Sequence, residues 1–367
     1  MTDYISKINK KLGFKRNQYF KPVRKQRYCL EANVQKTYRT LKDEASLLYE
    51  TARHHFNIHT MDSLEAGLKL ARDAMKEYPM GDPRTLTVIG YSYLNLGHIG
   101  YCVRRPGVAM PLARRAAKAA IKQNEKLARA HGLLGLISLI YDFDWKTAEE
   151  KLQEALKLNA DEPGALLAYS HLLISSGRTT EGIERIDRAV HAVPTEPIIT
   201  VSRGWLHVLA GDLTEGLSLC EKACEAYRKL GPAHILLGFA YELNNRPKDA
   251  IASYRESLRI EPSAVGLSWL GHLYGKLGKQ DLSMGTLKKI KELRQVRKIA
   301  YEPAYCKALV YAGLNRTQEA ARQLKKARTE HCDWLIHLGV DPRWSPLKKE
   351  PVFEEVLEEV GLRTPGG

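Results

Sequence analysis

An all-α, right-handed solenoid of about eight helical hairpins, closed by a C-terminal capping helix, is the fold class that the sequence predicts. Three observations predict it. A 34-residue pattern repeats in register over 163–196, 197–230 and 231–264. Small residues recur at fixed places within it. A turn signal divides each copy into two halves whose apolar residues fall at helical spacing.

The three central copies align without gaps. Their eighth positions are Ser170, Gly204 and Gly238, their twentieth Gly182, Gly216 and Ala250, and their twenty-seventh Ala189, Ala223 and Ser257. Small side chains at such spacing are what two helices need where their backbones cross closely. SSGRT, AGDLT and NNRPKD lie between the halves as turns, and Pro194 and Pro262 end two of the copies because proline cannot continue a helix. The pattern extends outward. Gly67, Ala74 and Pro79 mark the second half of a degenerate first unit. Gly90, Ala113 and Ala120 mark the next, around the insertion GHIGYCVRRPGVAMP. Gly135, Ala148 and Ala155 follow, then Gly271, Ser283 and Ile290, then Ala308, Ala320 and Ala327. Residues 331–363 break the pattern. DPRWSPLKKEPVFEEVLEEVGL reads as a turn plus an amphipathic helix that covers the last apolar face, as a solenoid end requires. The organisation expected is an arm over 1–40, an array over 41–330, and a cap and tail over 331–367.

Repeat length, small-residue positions and terminal proline together resemble the tetratricopeptide repeat. The segments ARHHFNIHTMDSLEAGLKLARDAM, IYDFDWKTAEEKLQEALKLN and DPRWSPLKKEPVFEEVLEEVGL also resemble the repeat arrays that follow adenylate cyclase, winged-helix or kinase domains in bacterial regulators. That resemblance spans roughly 45–363, and no such domain is expected before residue 40. It implies an interaction module in bacterial signalling or regulation and transfers no activity. It also implies a concave strip lined by positions 5, 9 and 12 of each first helix. The strip residues expected to meet a protein or peptide partner are Leu136, Leu167, His171, Val201, Trp205, Ile235, Phe239 and His272. An apolar, partly aromatic strip is unusual on a solvated surface. Tight superhelical winding would bury the same residues, and both readings stay open.

Charge is unevenly spread. The chain of 367 residues carries +15, with eleven Lys and Arg against Asp3 and Glu31 in the first forty, so +9 sits there. The basic residues Lys10, Lys11, Lys15, Arg16, Lys21, Arg24, Lys25 and Arg27 alternate with Phe14, Tyr19, Phe20 and Tyr28. Basic residues interleaved with rings suit nucleic acid, where charges neutralise phosphates and rings stack on bases, and residues 7–28 are the segment expected to do so. An anionic membrane surface, a solvated tail and a strap along the array are the other readings.

The remaining signals are structural. In IYDFDWKTA, Asp144 stands at a helix N-cap, Asp142 closes the turn and Trp145 is expected to plug the gap between paired helices. GHLYGKLGKQD lacks the spacing of a phosphate loop. Cys220 and Cys224 read as buried hydrophobes. His331, Cys332, Asp333 and His337 do not share a helix face, so no metal site is expected there. Around Ser202, Arg203 and Gly204 the partners of a carboxylate clamp are missing. No catalytic constellation is recognisable, and the chain is expected to be non-enzymatic, without cofactor or metal. The six cysteines show no paired spacing, which suits free thiols in a reducing cytoplasm. The basic N-terminus is not expected to be a secretory signal, nor is any segment apolar enough for an integral membrane span.

Overall fold

The computed structural model describes residues 47–362, except 48, 55–57, 59–60, 78–81 and 297–298. The basic arm, from Lys10 to Arg27, lies outside the described residues. A short helical stretch at 49–54 leads into α1 (Met61–Glu77). Then follow α2 (Pro83–Gly97), α3 (Pro106–Gln123), α4 (Ala128–Ile137), α5 (Trp145–Leu158), α6 (Pro163–Ser175), α7 (Thr179–Ala192) and α8 (Pro197–Leu209). The chain goes on through α9 (Leu213–Ala226), α10 (Gly231–Leu243), α11 (Pro247–Ile260), α12 (Ala264–Lys276), α13 (Gln280–Val296), α14 (Ala304–Gly313) and α15 (Thr317–Thr329). Two single 3₁₀ turns, Asp333–His337 and Pro342–Leu347, precede α16 (Pro351–Glu359). No strand occurs among the described residues.

Helices pair within each repeat: α2 with α3, α4 with α5, and so on to α14 with α15. Each first helix also packs on the first helix of the next repeat, from α2–α4 through α12–α14, so the first helices form a continuous inner layer. This is a helical solenoid of the tetratricopeptide-repeat type. The small positions are there for close approach. A Cβ added at Gly204 would stand 2.6 Å from the Cys220 sulfur and 2.7 Å from the Cys220 amide nitrogen. Turn chemistry starts the helices. Asp144 accepts from Thr147 N at 3.0 Å, Ser263 accepts from Gly266 N at 3.1 Å, and Pro163, Pro197, Pro247 and Pro351 occupy first turns.

The winding brings early and late units together. The insertion after α2 reaches the loop before α14, where Ala300 N donates to Cys102 O at 2.8 Å. Between α4 and α5 the helix widens into a π-turn at Ser138–Asp142, with Phe143 in the left-handed region at φ 57°. It docks on the chain end: the Tyr141 ring stacks on His331 with centroids 4.5 Å apart, and Arg328 lies over Phe143. Trp145 departs from its expected place. It does not plug its own hairpin; its indole N–H donates to Val360 O at 2.6 Å, joining α5 to the residues after α16. Asp142 pairs with Arg114 of α3 at 2.5 Å.

Candidate functional site: a concave cavity half filled by the chain's own C-terminus

The C-terminal segment does two jobs. Helix α16 packs on α15 and buries Phe353, Val356 and Leu357. Residues 332–347 do something the repeat pattern does not announce: they run into the concave side of the array. Trp334 sits against Trp205, Trp269 and Tyr305, with centroids 6.0, 5.2 and 5.9 Å away. Arg343 lies over Trp269 at 4.1 Å and over Phe239 at 4.5 Å, and its guanidinium is held by Asp341 at 2.7 Å. Trp344 packs edge-on against Tyr305, its centroid 5.2 Å away, and is fully buried.

Beneath this lid the strip becomes interior. Phe239 is 0% exposed and His272 1%. His272 Nδ1 meets Glu242 at 3.0 Å, and Tyr254 donates to the same carboxylate at 2.9 Å. Burial acts to raise the Glu242 carboxyl, but His272, with Arg343 and Tyr254, outweighs it and holds it below its ordinary range. Phe239 and His272 are therefore part of the packed core rather than an open face, which corrects their placement on the exposed strip.

The other six strip residues line a half-open cavity of about 540 Å³. Leu136 of α4, Leu167 and His171 of α6, Val201 and Trp205 of α8, and Ile235 of α10 all stand on its wall. The winding brings these six together as expected, with Leu136, Leu167 and His171 half-buried. Tyr91, Arg129 and Glu196 contribute polar groups, and Trp334, Ile336 and His337 form the side supplied by the C-terminal segment.

Three histidines and one acid organise the polar part. The Gly100 N–H donates to His98 Nδ1 at 2.9 Å, and His98 Nε2 lies 3.1 Å from an Asp333 carboxylate oxygen and 3.4 Å from the Trp334 indole nitrogen. Burial pushes the Asp333 carboxyl up, with His98 acting against it. His337 and His171 face each other with centroids 5.2 Å apart, and Ser175 bonds His337 Nδ1 at 2.8 Å. Burial pushes His171 down to about 4, helped by His98. Burial also pushes His337 well below the ordinary histidine range, helped by His171 and His98. Among the described residues no group of three or more His, Cys, Asp or Glu is placed to hold a metal ion, and the described cysteines are buried free thiols.

Sequence reading missed His98 and Trp334, and it took up His337 only to set aside a metal site. His98 sits in the insertion after α2, which the repeat pattern treats as an interruption. Trp334 and His337 sit where the repeat has ended. A signal was present: DWLIH and DPRWSPL hold two tryptophans in a segment otherwise read as a terminal turn, and rings that large are rarely left in solvent.

Residues 170–231 and 231–263 match tetratricopeptide-repeat families. A search of the curated proteins returns no match. Among solved structures, the human IFIT1 dimer with m7Gppp-AAAA aligns over 91% of this chain and 86% of its own, with 14% identity and a TM-score of 0.55. A monomeric IFIT1 mutant with Gppp-AAAA aligns over 84% of this chain and 79% of its own, with 13% identity and a TM-score of 0.53. A tetratricopeptide repeat protein from Parabacteroides merdae aligns over 76% of this chain and 99% of its own, with 15% identity and a TM-score of 0.46. At such identity the first two show a shared fold.

Proposed function

We propose that the chain is a non-catalytic interaction module that takes a short segment of a protein partner into the concave cavity. The observation that carries this is the survival of an apolar cavity on the inner layer, at six of the positions expected to meet a partner, after the C-terminal segment has covered the rest. A pocket of that size takes a few anchoring side chains and not a long extended peptide, so the partner contributes a compact anchor. Its setting, on the resemblance to bacterial regulatory arrays, is cytoplasmic signalling or regulation. Among the described residues no helix is long and apolar enough to cross a membrane.

Peptides selected from a random display library on the full chain supply the test. Leu167 is half-buried and on the wall, so Leu167→Glu puts a charge into the site without emptying the core. Selected peptides should lose about tenfold or more in affinity for that variant, an amount reached once about 1.4 kcal/mol of contact is lost. Its melting temperature should stay close to the parent's. Peptides that bind both proteins equally would place the site elsewhere.

A second reading rests on the charge of +9 in residues 1–40: the arm binds single-stranded nucleic acid. Retention on single-stranded RNA should then fall about tenfold or more between roughly 50 and 200 mM salt and vanish when residues 1–28 are removed. Retention that ignores salt or the arm would refute it.

A further inference from the structure

Residues 332–347 supply one side of the cavity, and their only regular elements are the 3₁₀ turns Asp333–His337 and Pro342–Leu347. Such a segment can lift without breaking a helix. His337 holds its first turn against the array. The ring is 4% exposed, bonds Ser175 at 2.8 Å, stands edge-on to Trp205 at 4.9 Å and faces His171 at 5.2 Å.

A neutral imidazole suits this place and a charged one does not. Among the described residues no carboxylate pairs with His337 or His171. From α6 come His171 and Ser175; from α8 comes the Trp205 ring, while Arg203 and His207 of that helix are engaged by Asp187 and Asp212. The insertion after α2 brings His98, which lies 3.1 Å from Asp333, the acid of the same turn as His337. The π-turn packed on that turn brings Tyr141 and Asp142, and Asp142 pairs with Arg114. Asp341, farther along the segment, is held by Arg343. Elsewhere on the cavity wall stand Arg53, Arg129, Glu196 and Glu261. Two imidazoles so placed repel once both are protonated, and either charge loses its water. Burial accordingly holds His171 down to about 4 and His337 below the ordinary histidine range.

We propose that residues 332–347 are an acid-released strap over the cavity, with the His171–His337 contact as its catch. At neutral pH the strap is closed. As pH falls below about 6.5, protons bind the open form, in which both imidazoles reach water, and the open population rises. The array stays folded, and the side of the cavity supplied by Trp334, Ile336 and His337 opens. This device goes beyond the partner reading and stands without it, because it governs access whatever the cavity receives.

The test labels thiols of the full chain with 4,4′-dithiodipyridine between about pH 7 and 5, each rate divided by that of free cysteine at the same pH, and peptide mapping identifies the labelled residue. Cys332, 5% exposed at the start of the strap, reports opening. Cys220, 2% exposed and closed against Gly204 between α8 and α9, reports loss of the array. Cys332 should label faster than Cys220 throughout, and its corrected rate should rise about tenfold or more across that range, as the release of one or two imidazoles requires. His337→Gln and His171→Gln should each shrink the rise, and the double variant should hold it within about threefold. Should His337→Gln fail to fold by circular dichroism, His171→Gln carries the test. His191→Gln, exposed on α7, should leave the rise as it is. A Cys332 rate indifferent to pH, Cys220 labelled as fast as Cys332, a rise undiminished in the variants that fold, or one lost in His191→Gln would each overturn the proposal.

Discussion

His337 ties the C-terminal segment to the inner layer of the array. It bonds Ser175 of α6 and packs between His171 and Trp205, and both histidines are held neutral by burial. The consequence for stability has a definite sign. In the unfolded chain each imidazole takes a proton near 6.5, whereas folded His171 resists until about 4. Between those values the unfolded state binds more protons, so stability is complete above about 6.5 and is lost as pH falls toward 4. We expect thermal denaturation to show a loss of about 1–3 kcal/mol across that window, and His337→Gln to flatten the profile. An unchanged profile in the variant would show that this pair does not couple folding to pH. Phe239 teaches the complementary point. A fully buried phenylalanine cut to alanine costs about 3–5 kcal/mol, so weakened binding after Phe239→Ala reports lost folding rather than a lost contact.

Element by element, the repeat was legible because two constraints act within a single hairpin. Gly204 against Cys220, and Gly238 against Tyr254, are close approaches that recur at one spacing, and spacing survives in a sequence. Turn signals such as AGDLT placed the break between α8 and α9, and Asp144 took the cap position read for it. The π-turn before Asp144 left no such mark, and neither did the 215-residue reach from Trp145 to Val360. Those contacts depend on how far the solenoid winds, which is the sum of many small rotations between units. Two of the eight strip residues, Phe239 and His272, failed as a surface for the same reason. Positions within α10 and α12 pointed inward as read, but the sequence of α10 contains no sign that Arg343, a hundred residues later, would lie over Phe239.

For the whole molecule, the winding matters more than any single hairpin. It brings His98 of the insertion to Asp333, Cys102 to Ala300 and Trp145 to Val360, so early and late units support each other. A solenoid whose units touch only their neighbours unravels piecewise; one fastened at both ends gains cooperativity. The same winding turns an open concave face into a lidded cavity. Its wall combines first helices of several repeats with the C-terminal segment. The central claim is that this cavity, and not the convex surface or the chain ends, is where a ligand or partner is received. Fluorine NMR of fluorotryptophan-labelled protein tests it most directly. The five tryptophans sort by place: Trp205 and Trp334 on the cavity wall, Trp269 behind Trp334, Trp344 deep under the lid and Trp145 at the chain end. Adding a selected peptide should shift the Trp205 and Trp334 resonances and leave Trp344 and Trp145 where they were. Shifts confined to Trp145, or saturable binding that moves neither Trp205 nor Trp334, would contradict the account.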